Sequence, residues 1–121
     1  MRRGEVWTVS GGADYANKPR PAVIIQSDRF DRTESITICT FTTTLRAAPF
    51  FRLPIEPTGS NGLMQRCWIM IDKVSTVPRT KIGRKLGRLD EQEVTRLNQA
   101  LLVFFGLAAP VRARDFPGEP S

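Results

Sequence analysis

Four apolar residues, Ala22-Val23-Ile24-Ile25, follow Pro19-Arg20-Pro21 without a polar break and end at Gln26-Ser27. The run is too short for a helix and rich in β-branched residues, and turn formers flank it. That is the pattern of a strand buried on both faces. Pro19 and Pro21 push the backbone around Arg20 toward extended or turn geometry. A basic side chain therefore stands at the mouth of a rigid strand, where its position is held more tightly than on a loop. The plainer reading is a solvated arginine that happens to precede a strand.

The segments around this strand are short and also β-like. Residues 4–10 (GEVWTVS) are rich in strand formers. Residues 11–17 carry Gly, Asp and Asn and read as a loop, and the strand proper covers 22–26. After a polar connection at 27–34, residues 35–41 (SITICTF) form a third strand whose inner face the pattern leaves open. Residues 50–55 (FFRLPI) suit a sheet edge, because Pro54 cannot donate to a ladder. Asn61-Gly62 is a turn signal that suits positive φ. Residues 63–74 contain the strand CWIMIDKV, with Asp72 near its end. Residues 75–89 are basic and broken by Gly83 and Gly87, which predicts a loop and one short strand.

Helical periodicity is clear in one place, residues 91–105. Asp90 is a good N-cap and Glu93 completes a capping-box pair. Val94, Leu97, Leu101 and Phe104 make one apolar stripe, and Gly106 suits the position just past the C-terminus. Residues 101–105 are apolar most of the way round, so this helix is either sandwiched within the domain or shared with a second subunit. Short strands followed by one helix predict an α+β chain built on a small, strongly bent sheet or barrel. The 121 residues suit one domain, expected at 1–107, with a proline-containing C-terminal tail at 108–121.

Charge and composition narrow the chemistry. A net charge of +6 favours an anionic partner, with nucleic acid or an acidic protein segment ahead of a membrane surface. The chain has no histidine, which excludes imidazole acid–base catalysis and His-ligated metal. Cys39 and Cys67 lack metal-like spacing and are expected to be reduced and buried. Met1-Arg2-Arg3 is not followed by the apolar core of a signal peptide, and the apolar stretch 100–111 is broken by Gly106 and Pro110. The expected location is the cytoplasm.

If the second and third strands are neighbours, Arg20 at the start of one and Thr42, Thr43 and Thr44 at the end of the other can meet at one end of the sheet. A guanidinium fork with hydroxyl donors is a phosphate site. Asp72 is the acid most suggestively placed, and the bland alternative pairs it with Lys73. The Lys81 to Arg88 charge run is weaker evidence, since such runs are usually solvated faces. Trp7, Tyr15, Phe41 and Trp68 have stacking potential for bases, but Trp7, Phe41 and Trp68 read first as core.

Together, Arg3-Gly4-Glu5-Val6-Trp7, Arg20-Pro21-Ala22-Val23-Ile24-Ile25 and Phe41-Thr42 resemble the MazF/PemK family of toxin endoribonucleases. The Asn61-Gly62 turn, Ile71-Asp72 and Phe105-Gly106-Leu107 extend the likeness over roughly residues 2–107. The resemblance implies an SH3-like β-barrel with a C-terminal helix, a homodimer, and inhibition by a cognate antitoxin. DNA contact is implied only indirectly, through the antitoxin, and no cofactor, metal or membrane is implied. The implied activity is sequence-specific, metal-independent cleavage of single-stranded RNA (messenger, and also ribosomal or transfer RNA), leaving a 2′,3′-cyclic phosphate. The family's catalytic positions fall on Arg20, Thr42 and Asp72. Lys18, Thr43, Arg46, Lys73, Arg79 and Lys81 are the accompanying candidates for RNA contact. Two alternatives share the fold: a toxin that poisons DNA gyrase without cleaving anything, and an inactive RNA-binding barrel. Relatives of the first kind use a tryptophan-containing C-terminal end, and this chain ends in Phe-Pro-Gly-Glu-Pro-Ser.

Overall fold

The computed structural model describes residues 1–10, 18–44 and 51–109. Six strands precede one helix: β1 (Glu5–Val9), β2 (Arg20–Ile24), β3 (Ser35–Thr42), β4 (Arg52–Ile55), β5 (Cys67–Pro78), β6 (Ile82–Arg88) and α1 (Glu91–Phe104). They form a single antiparallel sheet in the order β4-β5-β3-β2-β1-β6. β2 begins at Arg20, two residues before the apolar run, so the arginine lies inside the ladder rather than ahead of it. β5 runs on to Pro78 and β6 is seven residues long, so residues 75–89 are more strand than loop. Of the basic residues in this stretch, Arg84, Lys85 and Arg88 are exposed on β6, an edge strand, where charge discourages further pairing.

The connection from β5 to β6 dictates the curvature. Four strand spacings separate these strands in the sheet order, about 19 Å if the sheet were flat. Only three residues, Arg79–Lys81, join them. The chain from Pro78 to Ile82 can reach at most about 14 Å. The sheet must therefore roll up, although no ladder joins β4 to β6. A smaller apolar cluster of Val9, Ala22, Ile24, Ile36 and Ile38 draws in both Val77 of β5 and Ile82 of β6, as the roll requires. The larger cluster lies under α1 and combines Val23, Cys39, Phe41, Ile69 and Ile71 with Leu97, Ala100 and Leu101. β2 alternates between the two, with Ala22 and Ile24 on one face and Val23 on the other, so both of its faces are buried.

α1 begins with the expected capping box: Asp90 accepts from the Glu93 N–H and Glu93 accepts from the Asp90 N–H. It ends with Gly106 at φ 73°, where the Gly106 and Leu107 N–H groups donate to Val103 and Leu102. Just beyond its start is a polar hub. Asn61 is fully buried, its Oδ1 accepts from the N–H groups of Thr58 and Leu63, and its Nδ2 donates to the Glu56 carbonyl and to Glu93. Gly62 follows at φ 72°. No described helix is long and apolar enough to cross a membrane.

A second buried carboxylate ties β6 to β1. Glu5 accepts from the Arg2 N–H at 2.8 Å and from the Trp7 indole at 3.0 Å, and pairs with Lys85 Nζ at 2.9 Å. Burial alone would raise its pKa. The hydrogen bonds from Arg2, Lys85 and Trp7 and the Lys85 charge outweigh burial and hold it at about 2. A depressed carboxylate stabilises the fold above its unfolded pKa, near 4.5, and loses that contribution as pH falls toward 2. The contribution at neutral pH is about 3 kcal/mol. Urea unfolding of wild type and Glu5→Gln across pH 2–7 is expected to show wild type ahead at pH 7, with the gap closing below pH 4.

Candidate active site at the strand ends

Arg20 is the first residue of β2, is exposed, and stands across from Val9 of β1. Thr42 is the last residue of β3 and is half-buried. Its Oγ1 accepts from the Thr44 N–H at 3.2 Å and lies 3.3 Å from the Thr44 carbonyl, which ties the hydroxyl to the turn leaving the strand. β2 and β3 are neighbours, paired Ala22 to Thr40, Val23 to Cys39 and Ile24 to Ile38. Carried two residues further, this register sets Arg20 across from Thr42 on the same face. On the other side of β3, the Cα partner of Thr42 is Trp68 of β5.

Beyond Trp68 the β3–β5 ladder breaks. Phe41 pairs with Ile69 and Cys39 with Val74, so four residues of β5 stand opposite the single residue Thr40. Such bulges bend a strand and re-aim its side chains. Asp72 lies in this bulge, and its ion-pair partner is not the adjacent Lys73. Arg52 Nη2 of β4 reaches it at 3.3 Å. The Arg52 side chain is only 15% exposed, and its Nε is buried without an acceptor among the described residues. Sequence reading passed over Arg52. The available signal was a lone charge in the otherwise apolar FFRLPI, which sets it across from Met70, two residues before Asp72.

Cys39 lies close enough to feel this carboxylate. Burial, and then the Asp72 charge, push its thiol up to about 12. Burial also raises Cys67. Both thiols are buried and unbridged, and as protonated thiols they are poor nucleophiles. Sulfur chemistry is therefore not what this site supports.

The other candidates separate. Lys18 and Thr43 are exposed and flank Arg20 and Thr42 in sequence, and Lys73 is exposed beside Asp72. Lys81 is exposed, and its carbonyl accepts from the Ser10 N–H at 2.9 Å, next to the partner of Arg20. Arg79 is engaged elsewhere: its guanidinium donates to the carbonyls of Thr33 and Asp31 and pins the 31–34 turn to the β5–β6 connection. Arg46 and Tyr15 lie outside the described residues. Phe41 is core and Trp7 packs on the smaller cluster, whereas Trp68 belongs to neither cluster. Surface concavities of about 450 and 270 Å³ flank the start of α1, away from Arg20 and Thr42. Neither Arg20 nor Thr42 lines those concavities.

Residues 2–105 match the family described as PemK-like, MazF-like toxin of type II toxin-antitoxin system. The chain is 49% identical over 108 residues to a probable endoribonuclease MazF of Mycolicibacterium smegmatis, covering 89% of this chain and 99% of that protein. It is 28% identical over 116 residues to endoribonuclease MazF9 of Mycobacterium tuberculosis, covering 88% and 98% respectively. Its fold matches that of a mycobacterial endoribonuclease solved in complex with its cognate antitoxin. The TM-score is 0.74 at 22% identity, with 91% of this chain and 99% of that chain covered.

Proposed function

The chain belongs to the PemK-like, MazF-like toxin family of type II toxin–antitoxin systems, and on that premise we propose that it cleaves single-stranded RNA at specific sequences, without a metal, at the β2–β3 strand ends. The observation that carries this reading is the β2–β3 register, which, carried two residues on, sets an arginine and a threonine hydroxyl at neighbouring positions on one face of the sheet. The 49% identity to a protein named as an endoribonuclease supports it.

In this mechanism the ribose 2′ oxygen attacks the adjacent phosphorus, the 5′ oxygen leaves, and a 2′,3′-cyclic phosphate remains. Negative charge grows on the phosphoryl oxygens in the transition state. Arg20 faces that charge as a guanidinium cation, so its role is electrostatic rather than as a base. Thr42 donates its hydroxyl to the same phosphate. Asp72 is the carboxylate available to accept the 2′ proton, with Arg52 holding it in the bulge.

The antitoxin is the protein partner that the family implies. A basic surface suits an acidic-hydrophobic segment that orders on binding and covers the RNA face. A homodimer would cover the apolar side chains left exposed at and just past the end of α1, among them Leu102, Phe105 and Leu107. Incubation of the purified protein with long single-stranded RNA in EDTA is expected to give discrete cuts with cyclic-phosphate ends. A folded protein that cuts none of several RNAs refutes the reading, and gyrase inhibition then becomes the assay of choice.

A further inference from the structure

We propose that Trp68, backed by Arg66, is a nucleobase subsite: an unpaired base beside the scissile phosphate stacks on the Trp68 indole. The inference rests on the ribonuclease reading above and adds a place where the substrate's base is held.

Three observations carry it. First, Trp68 and Thr42 are cross-strand partners, so their Cα atoms lie about 4.5–5.5 Å apart and their side chains share a face. Arg20, Thr42 and Trp68 thus lie in a row across β2, β3 and β5, one strand spacing apart. A phosphate held between the first two leaves its nucleoside over the third. Second, Trp68 is a half-buried strand tryptophan that contributes to neither apolar cluster among the described residues. Trp7, by contrast, packs on the smaller cluster and donates its indole N–H to Glu5. A large apolar ring kept out of both cores forgoes burial that the fold could have used. Third, one face of the ring already carries a cation, which leaves the other face for a base. The Arg66 guanidinium carbon lies 5.4 Å from the Trp68 ring centroid, and Arg66 Nε is held by Glu56 Oε2 at 2.9 Å. Indole and guanidinium are both planar surfaces on which unstacked bases settle. Stacking tolerates any base, so this subsite reads the absence of pairing rather than base identity. A base locked in a duplex cannot swing onto the indole, and the subsite therefore favours single strands.

The test uses a DNA oligonucleotide copy of a mapped cleavage site, which has no 2′-OH and is not cut. It is titrated into wild type, Trp68→Leu, Trp68→Phe and Arg66→Ala, with affinity and tryptophan fluorescence read together and folding followed by circular dichroism. Binding is expected to quench wild-type fluorescence. Trp68→Leu should weaken binding about tenfold or more and abolish the quench, while Trp68→Phe restores most of the affinity. Equal affinity in a folded Trp68→Leu, or a quench that survives in it, overturns the proposal. If Trp68→Leu does not fold, Arg66→Ala decides: unchanged affinity in that variant is equally fatal. A wild type that cuts RNA while the variants bind normally removes only this subsite. A folded wild type that cuts none of several RNAs, and so yields no site to copy, removes the ribonuclease reading with it.

Discussion

Replacing Arg20 with alanine is expected to slow RNA cleavage by a factor on the order of 10²–10³ while leaving the protein folded. The two halves of that expectation have separate grounds. The fold survives because Arg20 is exposed at the first position of β2, and the strand's burial comes from Ala22, Val23 and Ile24. Exposed substitutions away from special backbone features usually move stability by about 0.5 kcal/mol or less. The rate falls because the guanidinium is the fixed cation facing the phosphoryl oxygens as their charge grows. Arg20→Lys keeps the charge but loses the planar fork, so it should fall between wild type and alanine. Single-turnover cleavage of a mapped site, with thermal melts of each variant, separates the two halves. Near-normal cleavage by a folded Arg20→Ala would remove the arginine from the mechanism.

The largest effect on stability is expected at Asn61. Its side chain is fully buried and serves two backbone donors, Thr58 and Leu63, and one backbone acceptor, Glu56. Alanine leaves all three, and Glu93 Oε2, without that partner; the Leu63 N–H and the Glu93 carboxylate are buried, and each buried orphan costs about 1–3 kcal/mol. Asn61→Ala should therefore destabilise by about 3 kcal/mol or more, a drop in Tm on the order of 10 °C. Gly62→Ala attacks the same turn from the backbone. The residue sits at φ 72°, and an added Cβ would stand 2.0 Å from the Leu86 carbonyl oxygen. Urea unfolding that finds either variant within 1 kcal/mol of wild type would show that the turn can rebuild itself around the loss.

Local chemistry made much of this architecture readable before any coordinates. The capping box, the apolar stripe of α1, Gly106 and the Asn61-Gly62 turn each have a signature within a few residues, and each is where the periodicity and turn rules put it. The β2 run was equally plain, because burial on both faces leaves no polar alternation to misread. What stayed hidden depended on residues distant in sequence. The open question of the inner face of β3 had no single answer: Ile36 and Ile38 serve one cluster, Cys39 and Phe41 the other. Residues 75–89 read as a loop with one short strand because the glycines of β6 are strand breakers by propensity. Yet Gly83 meets Thr8, and Gly87 meets Ser60 and Asn61, so closely that a Cβ would collide. The first approach exists only once β1 has paired with β6, and the second only once the sheet has rolled. The Arg52–Asp72 pair was out of reach for the same reason, since the three-residue excess of the β5 bulge appears only in the pairing with β3.

The pairing of β1 with β6 also bears on how the protein is made. Val6 waits for Gly87 and Trp7 for Lys85, partners that a ribosome adds some eighty residues later. Until then the hydrogen-bonding edge of β1 lies open, and an open edge is a template for association with other chains. Arg20, Thr42 and Trp68 all leave the ribosome before the strand that completes the sheet around them. The nascent chain thus carries its proposed cleavage groups early and the architecture that holds them in place late, a delay during translation in which it is exposed to misassembly before it is a finished toxin.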